Sequence, residues 1–248
     1  MSVTLYVARM AVATTPVPYR SGEIACTGLL CLDDATDRVR PGVLLLHGGA
    51  GLDEHARAQA RRYAGLGYAV FACDLFGDGV SGDRERVLGC LMRLRDDPAE
   101  LVERGQAGLR TLQEHPTVGD GIAVVGFCFG GLAALALARA GTAVAGAVSV
   151  HGSVTTNAPA RPGAISARIL VCHGSADPHV PMDDLAALAL ELDAAGADWQ
   201  AVVYGGAQHG FTHEHSRAGA QPGVAYDARA DERSFADVRG FLTDVLDG

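Results

Sequence analysis

Cys128 stands at the centre of Gly126-Phe127-Cys128-Phe129-Gly130, between the apolar run 122–125 and an Ala/Leu-rich stretch over 132–139. A strand, a tight turn and a helix in that order hold the central residue in a strained conformation that lifts its side chain clear of the sheet. The two glycines let the flanking segments approach. The chemistry that suits such a cysteine is attack on an electrophilic carbonyl. Its thiolate is the nucleophile, and the amide of Phe129, opening the helix, faces the negative charge that attack creates.

A nucleophile of this kind needs a base and an acid to orient the base, and both follow in the chain. Asp177 lies in the turn-rich segment His173 to Pro181, after the apolar run 168–172, and Pro178 keeps it out of a helix. His209 lies in the loop 205–211, after the run 201–204. The order nucleophile, acid, histidine, each beyond the end of a predicted strand, is that of a triad assembled along one edge of a parallel sheet. His173 and His179 are weaker candidates for the base. His173 closes a strand and is expected to pair with backbone, and His179 is too close to Asp177 in sequence to be oriented by it from across the site.

The elements that must carry these residues read as strands near 3–8, 24–32, 43–47, 69–74, 122–127, 144–150, 168–173 and 199–204, with helices near 53–66, 98–115, 129–140, 182–196 and 231–246. Continuous rather than alternating apolar runs, such as Val43 to Leu46, fit strands covered on both faces. Strands alternating with helices imply an α/β fold with a doubly wound, mostly parallel sheet of about eight strands flanked by helices. With no internal repeat and no linker-like shift of composition, residues 1–248 read as a single domain. The segments 76–95 and 213–227 fit no element and read as pocket walls or lids.

On these motifs the chain resembles the dienelactone hydrolase family of α/β-hydrolases, which carry a Cys-Asp-His triad. The turn at Cys128, the segment Gly174-x-x-Asp177-x-x-Val180-Pro181 and His209-Gly210-Phe211 match in order and spacing, from about Pro41 to the last helix. The resemblance implies Cys128, Asp177 and His209 as catalytic residues. It also implies a second oxyanion donor from the glycine-rich loop His47-Gly48-Gly49, where Gly49 is the choice beside Phe129. Phe76, Asp78, Phe127, Phe211 and His213 become pocket candidates. Gly48 stands where founding members have a glutamate that gates the cysteine's ionisation, and Asp78 and His213 fall near two arginines that bind a substrate carboxylate. The expected substrate is accordingly a neutral activated ester or lactone, cleaved through a thioester. A neutral phosphotriester is the alternative within the hydrolases, and non-catalytic ligand binding or thiol redox sensing the alternative outside them.

Composition narrows the partners. A net charge of −9 with no basic stripe argues against nucleic acid and anionic membranes. The first residues lack a basic flank followed by an apolar core, so no signal peptide is expected. Six cysteines without CxxC or framework spacing fit a reducing cytoplasm. The cluster His209, His213, Glu214 and His215 lacks the helical spacing of a zinc site, and no phosphate-binding glycine motif follows a strand, so neither metal nor cofactor is expected.

Overall fold

The computed structural model describes residues 12–33, 38–80, 83–217 and 219–246. Eight strands form one sheet in the order β1-β2-β4-β3-β5-β6-β7-β8. They are β1 (Val12–Ser21), β2 (Ile24–Asp33), β3 (Arg40–Leu46), β4 (Ala69–Cys73), β5 (Val118–Phe127), β6 (Gly146–Val150), β7 (Arg168–Gly174) and β8 (Trp199–Tyr204). The pairs β1–β2 and β2–β4 are antiparallel and the remaining pairs parallel. The helices are α1 (Glu54–Ala64), α2 (Arg84–Asp96), α3 (Pro98–Gln113), α4 (Phe129–Arg139), α5 (Met182–Ala195) and α6 (Ala228–Leu246).

Period-two alternation sends successive residues of each central strand to opposite faces. Val43, Leu45, Val70, Ala123 and Val125 pack on one side with Ala56, Ala60 and Tyr63 of α1 and Val238, Phe241 and Leu242 of α6. Leu44, Leu46, Phe71, Ile122 and Val124 pack on the other with Leu101, Leu109 and Leu112 of α3 and Leu132, Ala133 and Leu137 of α4. Leu185, Leu188 and Leu192 of α5 cover Ile169 and Val171 on β7. Both faces are sealed, which is why the parallel strands read as unbroken apolar runs.

The strand read near 3–8 lies outside the described residues, and two other expectations change. The first described strand, β1, was not expected because it holds Pro16 and Pro18, residues tolerated only where one side of the strand is unpaired. As an edge strand bonded to β2 alone, β1 meets that condition. Helix α2 occupies most of the segment that fitted no element. Its apolar stripe is thin, with Leu94 alone fully buried, and its start is fixed by Asp83, whose carboxylate accepts from the amides of Glu85 and Arg86.

Candidate active site

Cys128 lies one residue beyond the last rung of β5, where Phe127 pairs with Val150 of β6. Its backbone is left-handed, with φ 53° and ψ −113°, a conformation that costs about 1–3 kcal/mol for a non-glycine residue. Its amide donates to the Val150 carbonyl at 3.0 Å, while its own carbonyl accepts from Gly131 at 3.0 Å. The flanking glycines are required by space. A Cβ on Gly126 would stand 1.9 Å from the Gly130 carbonyl oxygen, and one on Gly130 would stand 2.1 Å from that of Leu46. Both clashes are with backbone, so Gly130→Ala is expected to destabilise the fold by at least ~2 kcal/mol in urea denaturation. An unchanged midpoint would contradict this packing.

Three loops at the carboxyl edge of the sheet bring the triad together. His209 Nε2 is 3.1 Å from Cys128 Sγ, and His209 Nδ1 is 2.8 Å from Asp177 Oδ2. Asp177 is buried at 4 % exposure, and its other oxygen accepts from the amides of His179 at 2.8 Å and Val180 at 3.2 Å. That leaves Nδ1–H of His209 donating to the carboxylate and Nε2 facing the sulfur. The His209 backbone is pinned by the 213–227 segment: its amide donates to Gly223 and its carbonyl accepts from Ala225.

Burial opposes charge on all three groups, yet their mutual bonds prevail. His209 loses hydration but gains Asp177 and Cys128, which push its pKa up to about 10. Burial of Cys128 is outweighed by His209 and by the backbone amides of Gly49 and Phe129, and its thiol is held below the ordinary range. Asp177 is likewise held low, against burial, by His209 and the two amides. Both shifts act in the direction that favours a thiolate–imidazolium pair. By contrast, burial pushes Cys73 and Cys172 up to about 12, so they stay protonated core thiols.

Other residues singled out in the sequence fall differently. Phe76, Phe127 and Phe211 are buried at 2 % exposure or less and support ring neighbours rather than line an open surface. Phe76 packs on His47 and Phe129, Phe127 on His55 and His151, and Phe211 on His151. Asp78 is exposed and anchored on β2. Its amide donates to the Ala25 carbonyl and its carboxylate accepts from the Ala25 amide at 3.3 Å. With that carboxylate engaged on β2, the charge argument rests chiefly on His213. His213 stacks on His55 with ring centroids 3.6 Å apart. Burial and the charge of His209 lower its pKa against the pull of Asp53, so it supplies no cation at neutral pH. His173 is buried, and burial lowers its pKa against a backbone hydrogen bond with Val180. The ring of His179 is bound to the Pro222 carbonyl at 3.1 Å.

Sequence reasoning missed the imidazoles beside the triad. His55 Nε2 and His151 Nε2 share the Thr212 hydroxyl at 2.9 and 2.8 Å, and the His151 ring stands edge-on to His209 at 5.6 Å. A signal for His151 was present, since it follows the apolar strand 146–150 just as Cys128 follows its own. Leu91 of α2 rests on the glycine loop: a Cβ on Gly49 would lie 2.9 Å from its Cδ1. Val87 and Leu91 pack into the same apolar cluster as Phe76, Val80, Phe129 and Cys128.

A sheet of this order, with a nucleophile turn after β5 and acid and histidine loops after β7 and β8, is that of an α/β-hydrolase, here an ester-acting one. The family model described as the dienelactone hydrolase family matches residues 28–246, and the chain belongs to that family. It is similar to a solved dienelactone hydrolase-like promiscuous phosphotriesterase from metagenomic libraries, at 33% identity and TM-score 0.89, covering 95% of this chain and 99% of the other. It is 33% identical over 154 residues to an uncharacterized protein of Caenorhabditis elegans, covering 61% of this chain and 98% of that one. A probable 2-oxo-3-(5-oxofuran-2-ylidene)propanoate lactonase of Bradyrhizobium sp is 27% identical over 201 residues, 76% of this chain and 79% of its own. Among the described residues no helix is long and apolar enough to cross a membrane.

Proposed function

We propose that the chain is one catalytic domain that hydrolyses small neutral esters or lactones through a thioester on Cys128. The observation that carries this reading is the sulfur's environment: imidazole at 3.1 Å on one side and the amides of Gly49 and Phe129 on the other. The Cys128 thiolate adds to the substrate carbonyl, and the two amides take up the charge that moves onto oxygen. As the tetrahedral intermediate collapses, the imidazolium of His209 gives its proton to the departing alkoxide, leaving the acyl group on sulfur. The thioester no longer carries the thiolate that helped raise the His209 pKa, so the imidazole is free to take a proton from water, whose hydroxide adds to the thioester; collapse then breaks the C–S bond, releasing the acid and returning the Cys128 thiolate beside the imidazolium. Asp177 holds the ring and its positive charge throughout.

A neutral substrate is favoured by the surroundings of Cys128. Leu91, Val87 and Phe129 share its apolar cluster, and His213, whose pKa is lowered, offers no counter-charge for a carboxylate. Kinship with the promiscuous phosphotriesterase favours a second reading, in which the thiolate displaces aryloxide from a neutral phosphotriester and water then cleaves the S–P bond. Six free cysteines fit a reducing, cytoplasmic setting.

The test is hydrolysis of p-nitrophenyl esters, lactones and aryl phosphotriesters by the native protein and Cys128→Ala. Turnover of neutral esters that disappears in the variant is expected, with kcat/KM higher for a neutral ester than for a carboxylated one of equal reactivity. A native preference for the carboxylated ester would reject the neutral-substrate reading.

A further inference from the structure

His47 is the first residue after β3 and is wholly buried, its ring edge-on to Phe76 at 4.7 Å. Its two ring nitrogens have unlike partners. The amide of Leu75, on the loop after the neighbouring strand β4, donates to Nε2 at 3.1 Å, which makes Nε2 an acceptor. The proton of the neutral ring is therefore on Nδ1, which donates to the carbonyl of Gly48 at 2.8 Å. Burial keeps the ring neutral, against the pull of Asp74 and Asp53.

The Gly48 carbonyl belongs to the same peptide unit as the Gly49 amide, and in a trans peptide the two point in opposite directions. Whatever fixes one aims the other. The Gly49 amide is aimed at Cys128 Sγ. Gly51 also donates to the Gly48 carbonyl, at 3.2 Å, so the unit is held by a local turn and by one side chain. The His47 contact is the shorter, and through Leu75 it ties this loop to the loop after β4. We infer that His47 is a positioning residue: through the Gly48 carbonyl it sets the direction in which the Gly49 amide faces the nucleophile. This rests on the role proposed above for Cys128, which its own alanine variant tests separately.

The experiment measures two quantities on His47→Leu and His47→Asn. One is the pH midpoint of Cys128 alkylation by iodoacetamide, followed by intact-protein mass spectrometry. The other is kcat and KM for a p-nitrophenyl ester. Leucine removes the bond to Gly48, while the asparagine amide can still donate from near the Nδ1 position. The expected result for His47→Leu is an alkylation midpoint about one unit higher, since a hydrogen bond to the thiolate is weakened. Its kcat should fall about 100-fold, as when an oxyanion donor is lost, with KM nearly unchanged. His47→Asn should restore most of both. If leucine at 47 prevents folding, His47→Ala carries the same expectations. An unmoved alkylation midpoint in the folded leucine or alanine variant overturns the inference, whatever happens to turnover. So does a midpoint displaced equally by asparagine. Loss of the functional reading looks different: Cys128→Ala would then hydrolyse the ester as the native protein does.

Discussion

Cys128→Ala is expected to lose ester hydrolysis by at least about 10⁴-fold in kcat, because the acyl group then has no atom to be carried on. Cys73→Ala and Cys172→Ala should keep their turnover and lose about 1–2 kcal/mol of stability, having packing and a contact with a tyrosine hydroxyl to lose. The contrast follows from three thiols in one molecule. Two are buried among apolar side chains and pushed up to about 12, and the third is drawn below the ordinary range by an imidazole and two amides. Iodoacetamide at pH 7 should therefore label Cys128 first, as peptide mass spectrometry would show. Full hydrolysis by Cys128→Ala, or faster labelling of Cys73 than of Cys128, would sink the assignment.

The second large effect concerns the base. His209→Ala should lower kcat by about 10³- to 10⁴-fold, whereas His179→Ala should lower it less than tenfold. The neighbouring ring bonds to the Pro222 carbonyl and stands 5.4 Å from that of His209. The pH dependence separates the two further. In the native protein His209, with its pKa pushed up to about 10, holds the Cys128 thiol below the ordinary range, so Cys128 should alkylate at lower pH than an ordinary thiol. Deprotonation of the imidazolium at high pH removes the charge that stabilises the thiolate. Without His209 the thiol loses its main counter-charge while keeping its burial, so alkylation should start only at or above the ordinary thiol range near ~8.5. The two midpoints belong to the coupled pair rather than to either residue. If His209→Ala still alkylated readily at pH 6, or if His179→Ala proved as damaging as His209→Ala in a folded protein, the base would be wrongly assigned.

Asp177 shows the same logic in stability. Its carboxyl is held below the usual range in the folded protein, so its contribution is present above the unfolded carboxyl's pKa near ~3.9 and is lost as pH falls through the folded value. Asp177→Asn should weaken the acid limb of a stability profile measured by urea denaturation. An unchanged acid limb would mean that the carboxylate gains nothing from its partners.

The sequence by itself determined the chain's class and which three side chains meet at the sheet edge. A cysteine between glycines after an unbroken apolar run can sit only where a strand turns sharply into a helix, and the clashes at Gly126 and Gly130 show why no other residue serves there. Asp177 and His209 were legible because a parallel sheet collects its strand ends on one edge, so that residues 81 positions apart meet at hydrogen-bond distance. Strand β1 was not legible, because its prolines argue against pairing until its place at the sheet edge is known. Nor was α2, whose stripe is too thin to register in a single sequence. What only the tertiary structure decided is the surroundings of the triad. Asp78 follows a strand end, as the triad residues do, but its backbone and carboxylate are tied to β2. Phe127 and Phe211 turned inward, and His55, His151 and Thr212 came together from three separate stretches of chain. Local sequence sets which residues can stand at the edge of a sheet. The direction of their side chains depends on packing against segments 53 to 157 residues away, to which no local periodicity refers.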